Sequence, residues 1–164
     1  MRLRDPLPVR NRQREKDSAR KRESGGYVAF PHILLRSETL KRLSAIALKL
    51  LVDLLAQYKG NNNGDLCAAW TLMEKRGWKS RDTLGKAIRE LKVAKLIEVS
   101  RQGGRHAATL YALTFFAVDE CHGKLDIEPT HAPKSLWREN EPPPPALLAN
   151  LKVVPRPQCQ STAD

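Results

Sequence analysis

Two neighbouring groups of basic and hydroxyl side chains are the part of the sequence best suited to chemistry. The first group lies in SRDTLGKAIREL, residues 80–91, and the second in RQGGRH, residues 101–106. Guanidinium, ammonium and hydroxyl groups donate hydrogen bonds to phosphate oxygens and to acceptor atoms on base edges. These residue types therefore indicate binding to a polyanion. The candidate contacts are Ser80, Arg81, Thr83, Lys86, Arg89, Arg101, Gln102, Arg105 and His106.

Catalytic and metal-binding patterns are missing from the sequence. The four histidines share no spacing, and the three cysteines form no C-x-x-C pair, which fits a reducing cytosol better than a disulfide framework or a zinc site. Phosphate-loop, metalloprotease and nucleophile-elbow motifs do not occur. The sequence therefore predicts no enzyme, no cofactor and no metal.

The charge balance narrows the class of partner. Lys and Arg number 29 against 18 Asp and Glu, which gives a net charge of +11 and a pI near 9.9. Such a basic chain is suited to nucleic acid or to an anionic membrane surface. No apolar run of membrane-spanning length occurs, and the charged N-terminus is not followed by the apolar segment of a secretory signal. We therefore expect a cytoplasmic protein that is nucleoid-associated when bound to DNA.

Composition divides the chain into three parts. Residues 1–26 carry nine Lys and Arg against four acids, which predicts a disordered basic arm. Residues 120–164 contain EPPPPALL and VVPRPQ, which predict a mostly disordered, Pro-rich tail. Residues 27–119 hold the apolar side chains and are expected to fold as one domain.

Periodicity within residues 27–119 predicts a mainly α fold with a small β-hairpin, in the α+β class. Serines at positions 37, 44 and 80 are suited to cap helices. The second helix, running to Tyr58, is apolar enough to be the buried spine, with Ile46, Leu50 and Leu54 on its apolar face. A short strand at LCAAW and a helix ended by Gly77 follow. In the helix after Ser80, Leu84, Ile88 and Leu91 recur on one face. KLIEVSRQ and TLYALTFFAV are the hairpin strands, and Trp70 and Trp78 are interpreted as packing residues.

The segment GWKSRDTLGKAIRELKVAKLIEVSR resembles the winged helix-turn-helix family of prokaryotic DNA-binding proteins, in particular members from phages and plasmids. The matching positions are Gly77, Ser80, Thr83-Leu84, Lys86, Ile88, Leu91 and Leu96-Ile97. Two positions depart from the family's pattern. Gly85 interrupts the helix that would recognise DNA, where it could permit close approach to a backbone. Lys95 stands where a glycine is usual, so we expect a different turn there.

The resemblance implies sequence-specific binding to double-stranded DNA, as a transcriptional regulator or a replication-associated protein. The helix at about residues 80–93 would enter the major groove, and the hairpin turn at about residues 100–107, the wing, would lie alongside it. Asp82 would favour selective binding, because a carboxylate repels phosphate and can accept from cytosine N4. A homodimer on two half-sites is compatible with this function, although no zipper-like heptad is present.

Two other functions stay open at this stage. The first is a protein-interaction module that uses the winged fold and offers its Pro-rich tail to a protein partner. The second is RNA binding through the basic arm, with the folded domain as a spacer.

Overall fold

The computed structural model describes residues 26–142, which form a mixed α+β fold. Within that range the chain contains five α-helices and one three-stranded antiparallel sheet. The helices are α1 (His32–Leu35), α2 (Glu38–Lys41), α3 (Ala45–Leu55), α4 (Trp70–Lys75) and α5 (Arg81–Val93). The strands are β1 (Leu66–Cys67), β2 (Ile97–Arg101) and β3 (Leu110–Leu113). The predictions for the basic arm up to residue 25 and for residues 143–164 lie outside the described residues.

The three predicted serine caps are confirmed. Ser37 Oγ accepts the N–H of Leu40 at 3.1 Å, Ser44 Oγ that of Ala47 at 3.1 Å, and Ser80 Oγ that of Thr83 at 3.3 Å. Each bond satisfies one of the backbone donors that the first turn of a helix leaves without an intrahelical partner. The start of α2, α3 and α5 is therefore fixed by local chemistry.

The core forms where α3 packs against α5 and the sheet. Leu50, Leu51 and Leu54 of α3 are fully buried, and Leu91 of α5 is fully buried with them. The predicted spine is therefore confirmed for this face of α3. The placement of Ile46 on the same face is wrong, since its side chain is 47% exposed. The buried stripe of α3 passes through Ala47 instead.

The sheet has the order β1-β3-β2, so β3 pairs with both of the other strands. Its register pairs Leu66 with Tyr111 and Ile97 with Leu113, and a bulge interrupts β2 between Val99 and Arg101. The returning strand ends at Leu113, well before the end of the predicted segment. Its residues after Leu113 leave the sheet because the Asn63 side chain donates to the carbonyls of Leu113, Phe116 and Ala117 and holds the chain in a turn.

The prediction that the tail begins at residue 120 is wrong for residues 120–142, which pack on the domain. Trp137 is only 3% exposed and belongs to the core. The Glu141 carboxylate accepts the N–H groups of Glu38 at 3.0 Å and Thr39 at 2.7 Å, in the first turn of α2. The N–H of Ser135 donates to the Thr114 carbonyl at 2.7 Å. Prolines favour extended backbone, yet a buried indole and a capping carboxylate still order the segment.

The turn between α5 and β2 is made by Lys95 in the left-handed conformation, with φ of 55°. The expectation of a different turn is therefore wrong: Lys95 takes the geometry that a glycine would adopt there. Thr114 Oγ1 donates to the Lys95 carbonyl at 2.7 Å, and the Lys95 ammonium forms an ion pair with Glu139. These contacts offset part of the cost of a left-handed side-chain-bearing residue.

Candidate nucleic-acid interface

The surface of α5 opposite its buried stripe carries an exposed row of charged side chains, Asp82, Lys86 and Arg89, called here the outward ridge. The three residues follow spacings of four and three, so they are neighbours along one helix face. Leu84 and Leu91 lie on the other side, in the core. The core therefore fixes α5 in position without using any side chain of the outward ridge.

Arg81, the first residue of α5, is held by α4. Its guanidinium lies 5.4 Å from the ring centroid of Trp70, the first residue of α4, in a cation–π contact. Trp70 is half-buried and packs against the core. Sequence reasoning assigned Trp70 to packing alone, because the contact with Arg81 depends on the angle between two helices. The contact holds a cation at the start of α5.

Of the two hydroxyl side chains at the start of α5, that of Ser80 has a structural role as the helix cap. Ser80 Oγ accepts the Thr83 N–H, and its own proton stays available for a phosphate or base acceptor. Thr83 is half-buried on the flank of the helix, whereas Ser80 is exposed. Lys79, which is not among the contacts predicted from sequence, is exposed directly before this cap. The position of Lys79 could have identified it, because the N-terminus of a helix attracts phosphate and a cation beside it can contact a phosphate bound there.

Asp82 and Lys86 form an ion pair, with Nζ 2.8 Å from Oδ2 and side chains 68% and 69% exposed. The hydrogen bond and charge of Lys86, with a smaller contribution from Arg89, hold the pKa of the Asp82 carboxyl below its usual value. Asp82 is therefore ionised at neutral pH. One turn of helix thus presents an acceptor and a donor side by side.

Gly85 lies half-buried beside the outward ridge and has room for a side chain within the protein. A Cβ built at Gly85 would meet only Arg89 Nη1, at 3.7 Å, which is an ordinary contact distance. The protein's own packing therefore does not require glycine at this position.

The β2–β3 hairpin places Arg105 and His106 in its exposed turn, which is closed by a bridge between Gly104 and Ala107. At Gly103 a Cβ would lie 2.4 Å from the backbone nitrogen of Thr109, so the two chains approach closely there. Gln102 is exposed, and its N–H donates to the Asp126 carboxylate at 2.8 Å. The base of the hairpin is thus held by residues beyond the predicted tail boundary.

Arg101 is the last residue of β2, and its side chain lies along the hairpin instead of projecting from the turn as Arg105 does. It is half-buried, Nη2 donates to the Ala108 carbonyl at 3.2 Å, and Nε is buried with no hydrogen-bond partner among the described residues. The structure thus brings Arg105 and His106 together at the hairpin turn and assigns Arg101 a role in holding the two strands. Sequence reasoning grouped all four wing residues, because strand pairing around the bulge is not visible in composition.

The described residues contain no group of three His, Cys, Asp or Glu side chains placed to hold a metal ion. Among these residues, no helix has the length and apolar character needed to cross a membrane. Comparisons with protein-family models, with curated proteins and with solved structures found no match for this chain.

Proposed function

We propose that this protein binds double-stranded DNA in a sequence-specific manner, with α4 and α5 as a helix-turn-helix and the β2–β3 hairpin as a wing. The observation that carries the proposal is the outward ridge of α5. Its cations are exposed along one face of a helix whose opposite face is anchored in the core. A positively charged ridge of this kind fits the electronegative floor and walls of the major groove.

The order of elements supports this assignment. The hairpin is preceded along the sequence by α3, β1, α4 and α5, in that order. In the sheet, β3 lies between β1 and β2. A winged helix-turn-helix requires this sequence of elements, with the recognition helix directly before the hairpin. The start of α5 and the hairpin turn each lie at the end of their element farthest from Lys95. In the proposed complex both contact the same duplex.

The dimensions of α5 suit the major groove. Thirteen residues span about 20 Å at about 1.5 Å each, with a diameter of about 10–12 Å, and the groove is about 12 Å wide. Arg81, Lys86 and Arg89 would contact guanine acceptors or flanking phosphates. Ser80 and Thr83 would lie near the backbone, as is usual for the start of a recognition helix.

The hairpin turn would supply a second contact. Arg105 and His106 would reach the neighbouring minor groove or its phosphates, where a narrow groove concentrates negative potential. Gln102 would lie at the edge of this contact, and Arg101 would act by keeping the hairpin in shape. The nine Lys and Arg of residues 1–25 would add salt-dependent affinity that does not depend on base sequence.

The biological role that follows is control of transcription or a part in replication, of the kind found on phages and plasmids. A homodimer would read two half-sites and double the recognised sequence. Residues 143–164 would then be free to recruit a protein partner through their Pro-rich segments. Such a protein would be located in the cytoplasm and would associate with the nucleoid when bound to DNA.

The experiment is a binding selection from a random duplex pool with the full chain, since truncation at residue 119 would remove Trp137 from the core. We expect an enriched motif. The triple variant R81A/K86A/R89A should lose most of its affinity for that motif. A control variant, K41A/K59A/K124A, removes the same charge from other exposed lysines and should keep the motif.

Three outcomes would contradict the proposal. Equal losses in the two triple variants would mean that net charge, and no particular surface, holds the DNA. Absence of any motif, with tight binding to single-stranded RNA that depends on residues 1–25, would support the RNA-binding alternative. A motif retained by the R81A/K86A/R89A variant would exclude α5 as the recognition helix.

A further inference from the structure

We infer that Asp82 and Lys86 read one G·C base pair together, as a single donor–acceptor unit. This inference rests on the proposed function, since it assigns the base pair that the outward ridge of α5 would recognise. An exposed ion pair four residues apart is common on helices and contributes little to stability. The position and geometry of this pair are what point to recognition.

The pair occupies the part of α5 that would penetrate farthest into a groove. Its two side chains lie opposite the buried Leu84 and Leu91, and both are more than two thirds exposed. Among the described residues, neither side chain forms a hydrogen bond or ion pair with another element. Their interactions are with each other and, for Asp82, with the charge of Arg89 on the same helix. Both groups are therefore available to base edges.

The spacing of the pair is compatible with the major-groove edge of G·C, and the order of donors and acceptors on that edge is what distinguishes it from A·T. Guanine presents N7 and O6 as two adjacent acceptors, and cytosine presents the N4 amino donor beside O6. O6 and N4 are joined by the Watson–Crick hydrogen bond, so they lie about 2.9 Å apart. Lys86 Nζ and Asp82 Oδ2 lie 2.8 Å apart. The ammonium would contact O6 and N7 while the carboxylate accepts from N4.

An A·T pair satisfies the same unit less well, although its N6 donor and O4 acceptor are also adjacent. Its edge presents an acceptor, a donor and another acceptor, N7, N6 and O4, followed by the thymine methyl group. A carboxylate placed over N6 would lie against the lone pairs of N7 or O4 on one side. The direction of α5 in the groove would also set the orientation of the base pair. Lys86 would lie over guanine and Asp82 over cytosine, so the reversed pair would place each side chain over the wrong base. G·C is therefore preferred over A·T and over the reversed pair.

Electrostatics give a second consequence. The Asp82 carboxylate cancels the charge of Lys86 and repels phosphates, so the pair adds little to binding at random sequence. This consequence requires an ionised Asp82, which any aspartate near its usual pKa is at neutral pH, and the ammonium of Lys86 lowers that pKa further. Removal of Asp82 should raise affinity for random duplex and weaken discrimination at one base pair.

The test repeats the duplex selection with full-length wild type, Asp82→Ala, Lys86→Ala and the double variant. We expect a conserved G·C pair in each wild-type half-site. Both single variants should lose roughly tenfold discrimination at that same position, and the double variant should lose no more than either. Glu38→Ala is the matched control, since Glu38 and Lys41 form an exposed ion pair of 2.7 Å on α2. Its motif should equal that of the wild type.

The outcomes separate this inference from the proposed function. A wild-type motif that Asp82→Ala leaves unchanged, or relaxation of different positions by the two single variants, overturns the inference and leaves DNA binding intact. A wild-type pool with no enriched motif overturns both. Thermal unfolding of each variant checks that the exposed substitutions have not changed the fold.

Discussion

The indole nitrogen of Trp78 donates a hydrogen bond to the Asp53 carboxylate at 2.7 Å and so ties the turn between α4 and α5 to α3. Lys49 Nζ lies 2.7 Å from the same carboxylate, and Arg76 lies 3.6 Å from it. The Trp78 side chain is buried, so this bond gives its indole N–H an acceptor within the protein. The direction of α5, and with it the direction of the outward ridge, depends on this contact.

Substitution of Asp53 should therefore destabilise the fold more than its position near the surface suggests. Asp53→Ala leaves the Trp78 N–H without its acceptor and removes the carboxylate that Lys49 and Arg76 share, at a cost of about 1–3 kcal/mol. Asp53→Asn keeps an acceptor and should cost less. Urea unfolding at neutral pH measures both. As a control, Glu38→Ala breaks an exposed ion pair and should change stability by less than about 1 kcal/mol. Equal effects of Asp53→Ala and Glu38→Ala would contradict this role.

The same carboxylate predicts a loss of stability in acid. Burial raises the pKa of Asp53, but the hydrogen bonds from Lys49 and Trp78 and the charges of Lys49 and Arg76 outweigh it and leave the pKa below its usual value. A folded-state pKa below the unfolded value gives stability that is fully present above about pH 4 and is lost as the pH falls through the folded pKa. Urea unfolding between pH 7 and pH 3 should show a shallower decline for Asp53→Asn than for wild type. Parallel declines would exclude a contribution from Asp53.

Trp137 provides a test of the folded boundary. Its side chain is buried in the core, so Trp137→Ala should destabilise the protein by about 3–5 kcal/mol. Trp137→Phe should cost much less, because the indole Nε1 has no hydrogen-bond partner among the described residues and nothing polar is lost with it. Urea unfolding of the two variants gives the comparison. A Trp137→Ala variant as stable as wild type would show that the Trp137 side chain contributes nothing to the stability of the fold.

The left-handed conformation of Lys95 predicts a stabilising substitution. Glycine adopts φ of 55° without the steric cost that a side chain incurs, about 1–2 kcal/mol. Lys95→Gly should therefore be more stable than Lys95→Ala by about 1 kcal/mol, although both lose the ion pair with Glu139. The comparison between the two variants isolates the backbone from the ion pair. Thermal unfolding measures it, and equal stabilities would show that the turn carries no such strain.

Local signals explain which parts of the fold were predictable from sequence. A serine before an apolar stripe fixes the start of a helix within a few residues, so the caps at Ser44 and Ser80 could be identified in advance. The stripe of Leu84 and Leu91 likewise identifies the buried side of α5, and therefore its exposed side.

Contacts between distant parts of the chain were not predictable. Glu141 caps a helix 102 and 103 residues earlier, at Thr39 and Glu38, and no spacing rule connects them. The Pro-rich composition around Trp137 predicted a tail because it does not reveal that one indole fills a gap in the core. At the candidate site, the inward course of Arg101 depends on pairing around the β2 bulge. Residue type alone does not report such pairing.

Gly85 separates stability from DNA binding, because the protein has room for a methyl group there. Gly85→Ala should stabilise the fold by about 1 kcal/mol through its higher helix propensity. If the proposed function holds, the added methyl group lies beside the outward ridge and prevents close approach of the duplex, so affinity for the selected motif should fall roughly tenfold. Val93→Ala is the control, since it also raises helix propensity but lies at the far end of α5, and it should leave affinity unchanged. Thermal unfolding and motif binding by both variants decide the matter. Unchanged affinity in Gly85→Ala would mean that no backbone approach explains this glycine.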